Sequence, residues 1–305
     1  MVPKIGVELQ VNERGLSRVP RWAEISQLAR RAEEVGFDSV WVEDHLLYRT
    51  PEGGVEGVWE SWSLLAALAA VTERVELGSL VLCTGFRNPA LLAKMADTVD
   101  EISGGRLILG LGAGWNKPEY DAFGYPYDHR VSRFEEALQI IHGLLREGQV
   151  DFHGRYEQAN DCRLSPRGPR PAGPPILVGT KSPRMLQLTA RYADLWNVYF
   201  PTIHNRPEEF AALQTEVDAV CRAVGRDPST LGRTVSVLVD MDAASGAGTS
   251  GHWGTPPLTG TAEEMAATLR AFGEAGAEQV ILWIEPTNLD GLERFAPVLE
   301  HLKRG

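Results

Sequence analysis

The residue best placed to move a proton is His45. It follows the apolar run Ser39 to Val42 and the acidic pair Glu43 and Asp44. Imidazole titrates near neutral pH, so a histidine there can donate a proton, accept one or carry charge. The competing reading is a histidine that only closes a strand. The acidic neighbours do not complete a triad, because adjacent strand residues point to opposite faces. No Ser-His-Asp arrangement and no G-x-S-x-G elbow occurs. His129, His142, His153, His204, His252 and His301 lack metal-ligand spacing, so no metal site is expected.

The second chemistry is anion binding. Gly179-Thr180-Lys181-Ser182-Pro183 lies between an apolar run and a helical pattern. Pro183 suits a first helical turn and Ser182 the N-cap. Backbone N–H groups, hydroxyls and Lys181 would converge there, the arrangement that binds phosphate, and Arg184 adds charge. An ordinary cap without a ligand is the alternative.

The third stretch is Leu107 to Asn116, an apolar run ending in Gly110, Gly112 and Gly114, then Trp115 and Asn116. Glycines at a strand's C-terminal end allow a sharp turn and close approach of something flat or bulky. A dinucleotide fingerprint is excluded, because Trp115 stands where G-x-G-x-x-G needs glycine and Asn116-Lys117-Pro118 does not open a helix at once. Trp115, Trp196, Trp253 and Trp283 fall near strand ends or in a loop, where they wall a cleft or serve as ordinary core.

These residues need a scaffold. Apolar runs predict strands at 4–9, 39–42, 75–82, 107–111, 175–178, 194–198, 234–239 and 279–284. Helical spacing predicts helices at 22–35, 59–71, 89–102, 132–145, 183–192, 207–224, 261–275 and 289–302. Eight strand–helix units in 305 residues give about 38 residues each, in the range of a (β/α)₈ TIM barrel with insertions. A hairpin at 150–156 and a Pro-rich loop at 165–171 interrupt the repeat after the fourth helix, and a mobile loop is expected at 243–259. The repeat resumes after each, so one domain spans 1–305. A doubly wound sheet is the runner-up. In a barrel the strands' C-terminal ends carry the chemistry. That nominates Leu9, Gln10, Asp44, His45, Cys83, Thr84, 112–116, 179–182, Asn197, Tyr199, Asp240, Trp283 and Glu285.

Composition narrows the partners. A net charge of -11 argues against a nucleic-acid or acidic-membrane surface. Hydrophobic content of 43% and charged content of 23% suit a globular enzyme. Cys83, Cys162 and Cys221 form no C-x-x-C pair. No leader and no bilayer-spanning run is read, so a cytoplasmic location is expected.

The chain resembles the luciferase-like monooxygenase superfamily, (β/α)₈ barrels that use flavin or deazaflavin. The resemblance rests on Gly36 to His45, Gly78 to Pro89, Gly104 to Tyr120, Arg130 to Glu136, Ile176 to Ser182 and Ala193 to Asn197. The excursion at 148–175 matches that superfamily's extra hairpin. Gly112-Ala113-Gly114-Trp115-Asn116, with Glu119 and Tyr120, is most similar to members that use coenzyme F420, a deazaflavin. The resemblance implies that His45 lies beside the ring and that Gly179, Thr180, Lys181 and Ser182 bind its phosphate. It implies a non-proline cis peptide at Leu80–Val81, and cofactor contacts from Leu80, Val81, Cys83, Gly112, Ala113, Gly114 and Asn116. Asn116 and Glu119 fall near a catalytic acid of some members, but the local pattern differs and that role is not carried over. Lys181, Arg184, Arg167 and Arg170 are the cations expected to attract the anionic cofactor.

Three functions follow from these readings. The first is an F420-dependent oxidoreductase that transfers a hydride to or from a small organic substrate. The second is an FMN-dependent monooxygenase fed by a separate reductase. The third is a non-catalytic flavin-binding barrel. A homodimer is implied by the resemblance alone.

Overall fold

A computed structural model of the chain describes residues 2–242 and 254–304. Of the loop expected at 243–259, residues 243–253, including Trp253, lie outside the described residues. The strands of the main sheet are β1 (Lys4–Glu8), β2 (Ser39–Val42), β3 (Glu76–Ser79, resumed at Leu82–Cys83), β4 (Leu107–Gly112), β5 (Ile176–Gly179), β6 (Leu195–Val198), β7 (Gly232–Asp240) and β8 (Gln279–Glu285). They hydrogen-bond in the order β5, β6, β7, β8, β1, β2, β3, β4, and β4 pairs again with β5. That closes a parallel (β/α)₈ barrel, as the strand–helix alternation predicts.

The helices are α1 (Trp22–Val35), α2 (Ser61–Val71), α3 (Pro89–Ser103), α4 (Lys117–Phe123), α5 (Arg130–Glu147), α6 (Pro183–Tyr192), α7 (Phe200–Ile203), α8 (Pro207–Ala223), α9 (Ala262–Glu274) and α10 (Leu289–Arg304). By backbone contacts the chain groups into two compact units, 1–10 with 21–41 and 179–305, and 11–20 with 42–178.

Period-two alternation sorts the residues of each strand. On β7 and β8 the fully buried Val235, Val237, Val239, Val280, Leu282 and Ile284 share one side. Arg233, on the same side of β7, reaches Asp218 of α8 at 2.8 Å, so this is the helix-facing side. The other parity faces inward and mixes apolar residues such as Leu238 and Ile281 with polar groups. There Gln279 and Trp41 both donate to Ser39 Oγ at 2.7 Å, and Asn197 donates to Thr234 Oγ1 at 2.9 Å.

β3 carries one residue too many. Gly78 pairs with Ile108 and Leu82 with Leu111, four steps against three. The extra residue makes a bulge, and its Leu80–Val81 peptide is cis, at the bond that the resemblance implies. The glycines of β4 make room for it. A Cβ on Gly110 would overlap the Ser79 carbonyl oxygen, and one on Gly112 would come within 2.7 Å of the Val81 side chain. Gly110→Ala is therefore expected to cost about 3 kcal/mol, the upper end of overpacking. Chemical denaturation measures this, and a loss below about 1 kcal/mol would contradict the packing.

Two local expectations are corrected and one further element appears. A helix does open directly after Asn116, because Pro118 falls in the first turn, where its missing N–H costs nothing. The excursion hairpin is longer than 150–156. Its strands are Gln149–His153 and Gln158–Arg163, with Gly154 in the turn rather than in a strand. Tyr48–Arg49 and Val55–Glu56 form a further two-stranded hairpin, too short to leave a periodic signal.

Candidate active site

His45 follows β2, where the chain leaves the barrel strand. Its Nδ1 lies 2.9 Å from Oε1 of Glu119, and Oε2 of Glu119 accepts the backbone N–H of Leu46 at 2.7 Å. Glu119 is 2% exposed and the His45 side chain 14%. The ring sits between Tyr48, 4.5 Å away between centroids, and Trp115, edge-on at 5.5 Å. Burial pushes the imidazole pKa down, but the Glu119 hydrogen bond and the charges of Glu43, Glu119 and Asp44 outweigh it. The result lies above the ordinary value of 6.5. With Nδ1–H directed at Glu119, Nε2 is the nitrogen left to exchange a proton.

Glu43 and Asp44 make their hydrogen bonds with other partners. Glu43 accepts from Tyr48 Oη at 2.6 Å and from Asn12 Nδ2. Asp44 takes both arms of Arg87, at 2.7 and 2.8 Å, and the backbone N–H of Cys83 at 2.8 Å. Arg87 also reaches Glu60, whose carboxylate caps α2 by accepting from Trp62 N and Ser63 N. Burial pushes Glu60 up, but the Ser63 hydrogen bonds and Arg87 bring it below the usual carboxylate value.

The bulge and the glycine strand meet at Cys83. Its thiol lies 2.8 Å from Tyr120 Oη, and Tyr120 donates to Ala113 O at 3.1 Å. Burial pushes the Cys83 thiol up to about 12, although the Tyr120 hydrogen bond opposes this. It therefore stays protonated and is a packing group rather than a nucleophile. Gly114 has φ of 72°, and a Cβ there would overlap Tyr120 Oη. The close approach read from Gly110, Gly112 and Gly114 is thus made by the protein's own bulge and Tyr120. Asn116 is buried and donates to Leu47 O at 3.1 Å, which ties the His45 loop to the start of α4. His45, Leu80, Val81, Cys83, Gly112, Ala113, Gly114 and Asn116 therefore belong to one connected cluster at the ends of β2, β3 and β4. Glu119 joins them; the resemblance put it, with Asn116, near a catalytic acid of some members, and its pairing with His45 is what the fold adds.

Gly179 to Ser182 lie where β5 leads into α6. The Thr180 N–H donates to Asn197 O at 3.1 Å, and Trp196 Nε1 donates to Thr180 O at 2.8 Å. Ser182 holds the N-cap position as expected, but its hydroxyl makes no capping bond; Thr180 Oγ1 accepts its N–H at 3.1 Å instead. Lys181 and Ser182 are exposed.

One expectation about charges is overturned, and the open reading of the tryptophans is decided. Arg170 clasps Asp100 on α3 and bonds Leu107 O at the first residue of β4. Arg167 bonds Leu145 O at 2.6 Å and Pro171 O at 3.0 Å, and lies 3.4 Å from Asp97. Both are consumed in pinning the Pro-rich loop at the N-terminal end of β4, opposite the functional ends, so neither meets an anionic cofactor. Trp196 is core: it is 1% exposed and stacks on Phe210 of α8 at 6.0 Å. Trp115, by contrast, is 66% exposed, and Trp283 packs edge-on to Tyr199 and Phe200. Among the described residues no group of three or more His, Cys, Asp and Glu is arranged to hold a metal ion. None of their helices is long and apolar enough to cross a membrane.

The sequence profile of the luciferase-like monooxygenase family matches residues 4–250. The chain belongs to that family. Its curated relatives include the pyrimidine monooxygenase RutA of Enterobacter cloacae subsp. cloacae, 35% identical over 202 residues, or 63% of this chain and 54% of the relative. RutA of Klebsiella pneumoniae is 31% identical over 258 residues, or 79% and 69%. The chain spans little more than half the length of the first of these. Among solved structures, an F420-dependent secondary alcohol dehydrogenase in complex with an F420-acetone adduct aligns with TM-score 0.81 at 20% identity, covering 99% of both chains. EDTA monooxygenase from Chelativorans sp. BNC1 aligns with TM-score 0.79 at 16% identity, covering 100% of this chain and 94% of that one. At those identities the likeness is one of fold. The family, and the relatives and neighbours it matches, are oxidoreductases and monooxygenases.

Proposed function

We propose that this luciferase-like enzyme is an F420-dependent oxidoreductase that transfers a hydride to or from a small organic substrate. The observation that carries the reading is the His45–Glu119 pair. Moving a hydride between carbon centres of a carbonyl or alcohol requires a proton at the substrate oxygen, and a buried imidazole backed by a carboxylate holds one. When bound, the deazaflavin supplies the hydride acceptor or donor. Glu119 fixes the ring through Nδ1 and leaves Nε2 to give or take the proton. Tyr48 and Trp115 contact the imidazole, at 4.5 and 5.5 Å between ring centroids.

The residues present suit an anionic cofactor. The α6 N-terminus offers backbone donors, the Ser182 hydroxyl is not used as a cap, and exposed Lys181 adds a cation. Gly179, Thr180, Lys181 and Ser182 would hold the phosphate. Binding of F420 and of FMN to purified protein, side by side and at low and high salt, tests the choice. Tight F420 binding weakened about tenfold by Lys181→Ala is expected, the size of one charge-assisted contact. Tight FMN binding without F420 binding would overturn it. The reduced-flavin monooxygenase, with its separate reductase, is the second reading, favoured by the 30–35% identity to pyrimidine monooxygenases.

A further inference from the structure

Asp240 is the last residue of β7. It shares the inward face with Thr234, Ser236 and Leu238, and its register partner is Glu285, the last residue of β8. It is 3% exposed. Its Oδ1 accepts the backbone N–H of Asp242 at 2.8 Å, but Oδ2 is buried and has no hydrogen-bond partner among the described residues. Glu43, Asp44 and Glu119, the buried acids beside His45, each have partners on both oxygens. A buried acceptor without a donor weakens the ligand-free protein, so such a group calls for an explanation. The proton path through His45 does not use it, and the C-terminal ends of barrel strands are where substrate is held.

We infer that Asp240 is a specificity residue, whose Oδ2 accepts a hydrogen bond from an N–H group of the organic substrate: an amide, an imide or a protonated amine. The carboxyl of Glu285 in register favours nitrogen. A hydroxyl brings lone pairs towards a second acid, whereas these nitrogen groups present protons without a lone pair. The inference rests on the proposed reading that the strand ends bind an organic substrate.

The test pairs N–H probes with their N-methylated partners: uracil with 1,3-dimethyluracil, benzamide with N,N-dimethylbenzamide, and benzylamine with benzyltrimethylammonium. Each is titrated calorimetrically into the full chain, with and without F420 or FMN. At least one N–H probe is expected to bind about tenfold or more tightly than its partner. Asp240→Asn, which keeps the Oδ1 acceptor and turns an amide NH₂ towards the ligand, should abolish that ratio. Its ligand-free melting temperature should stay within about 2 °C of wild type, or rise. A preference absent from every pair, one that survives in Asp240→Asn, or a melting temperature that falls well below wild type would overturn the assignment. If neither cofactor binds in the same titrations, the proposed function fails, and the N–H ratio is still read in the cofactor-free runs.

Discussion

His45→Ala lowers turnover by about 10²–10⁴-fold while cofactor affinity stays near wild type. The loss follows from removing the only imidazole among the described residues of the cluster at the ends of β2, β3 and β4. The phosphate turn at Gly179 to Ser182 is on separate elements, so cofactor binding has no reason to follow. The pH profile adds a sign. The His45 pKa lies above 6.5, so the imidazolium is populated at pH values where an ordinary histidine is neutral. In the reducing direction His45 is the acid, and the rate falls as pH rises through that raised pKa. In the oxidising direction it is the base, and the rate rises through the same value. Glu119→Gln removes the hydrogen-bonded charge and moves both limbs to lower pH. Steady-state rates in both directions, with FMN or F420 as bound, measure this. Wild-type turnover in His45→Ala at saturating substrate would remove the catalytic assignment.

Arg87→Ala is expected to cost about 3–5 kcal/mol of stability, the usual result of stripping one partner from a buried ion pair. The Asp44 side chain has no exposure and Arg87 only 11%, so water cannot take over. The damage spreads in two directions. Asp44 holds the Cys83 N–H beside the β3 bulge, and Arg87 braces Glu60 at the start of α2. Thermal unfolding should show a fall of about 5–8 °C. Adding Asp44→Asn to Arg87→Ala should recover part of the loss, because the uncompensated charge goes with it. A double variant no more stable than Arg87→Ala would show that packing, not charge, carries the effect.

The sequence by itself determined the barrel and most of its punctuation. Buried parallel strands must be short apolar runs, and each helix must announce its ends. Val280 to Ile284 and Leu107 to Leu111 are therefore legible as strands. So are Gly36 after α1, Gly104 after α3, and the Thr261 and Glu264 capping box of α9. The cis bond at Leu80–Val81 was legible only through resemblance, since nothing in Ser79-Leu80-Val81-Leu82 marks a bulge. Only the tertiary structure decided which charges work together. Glu119 stands 74 positions from His45 and Arg170 70 positions from Asp100, separations at which no local periodicity operates. Arg170 looked like a cofactor ligand because its charge was visible and its partner was not. Trp196 stood open between cleft wall and core, and strand parity and the ring of Phe210 turn it outward into the helix layer. Local pattern sets where an element begins, ends and buries itself. The partner of a polar side chain is chosen by whichever distant strand or helix packs against it, because a buried charge left alone costs more than the chain can spare.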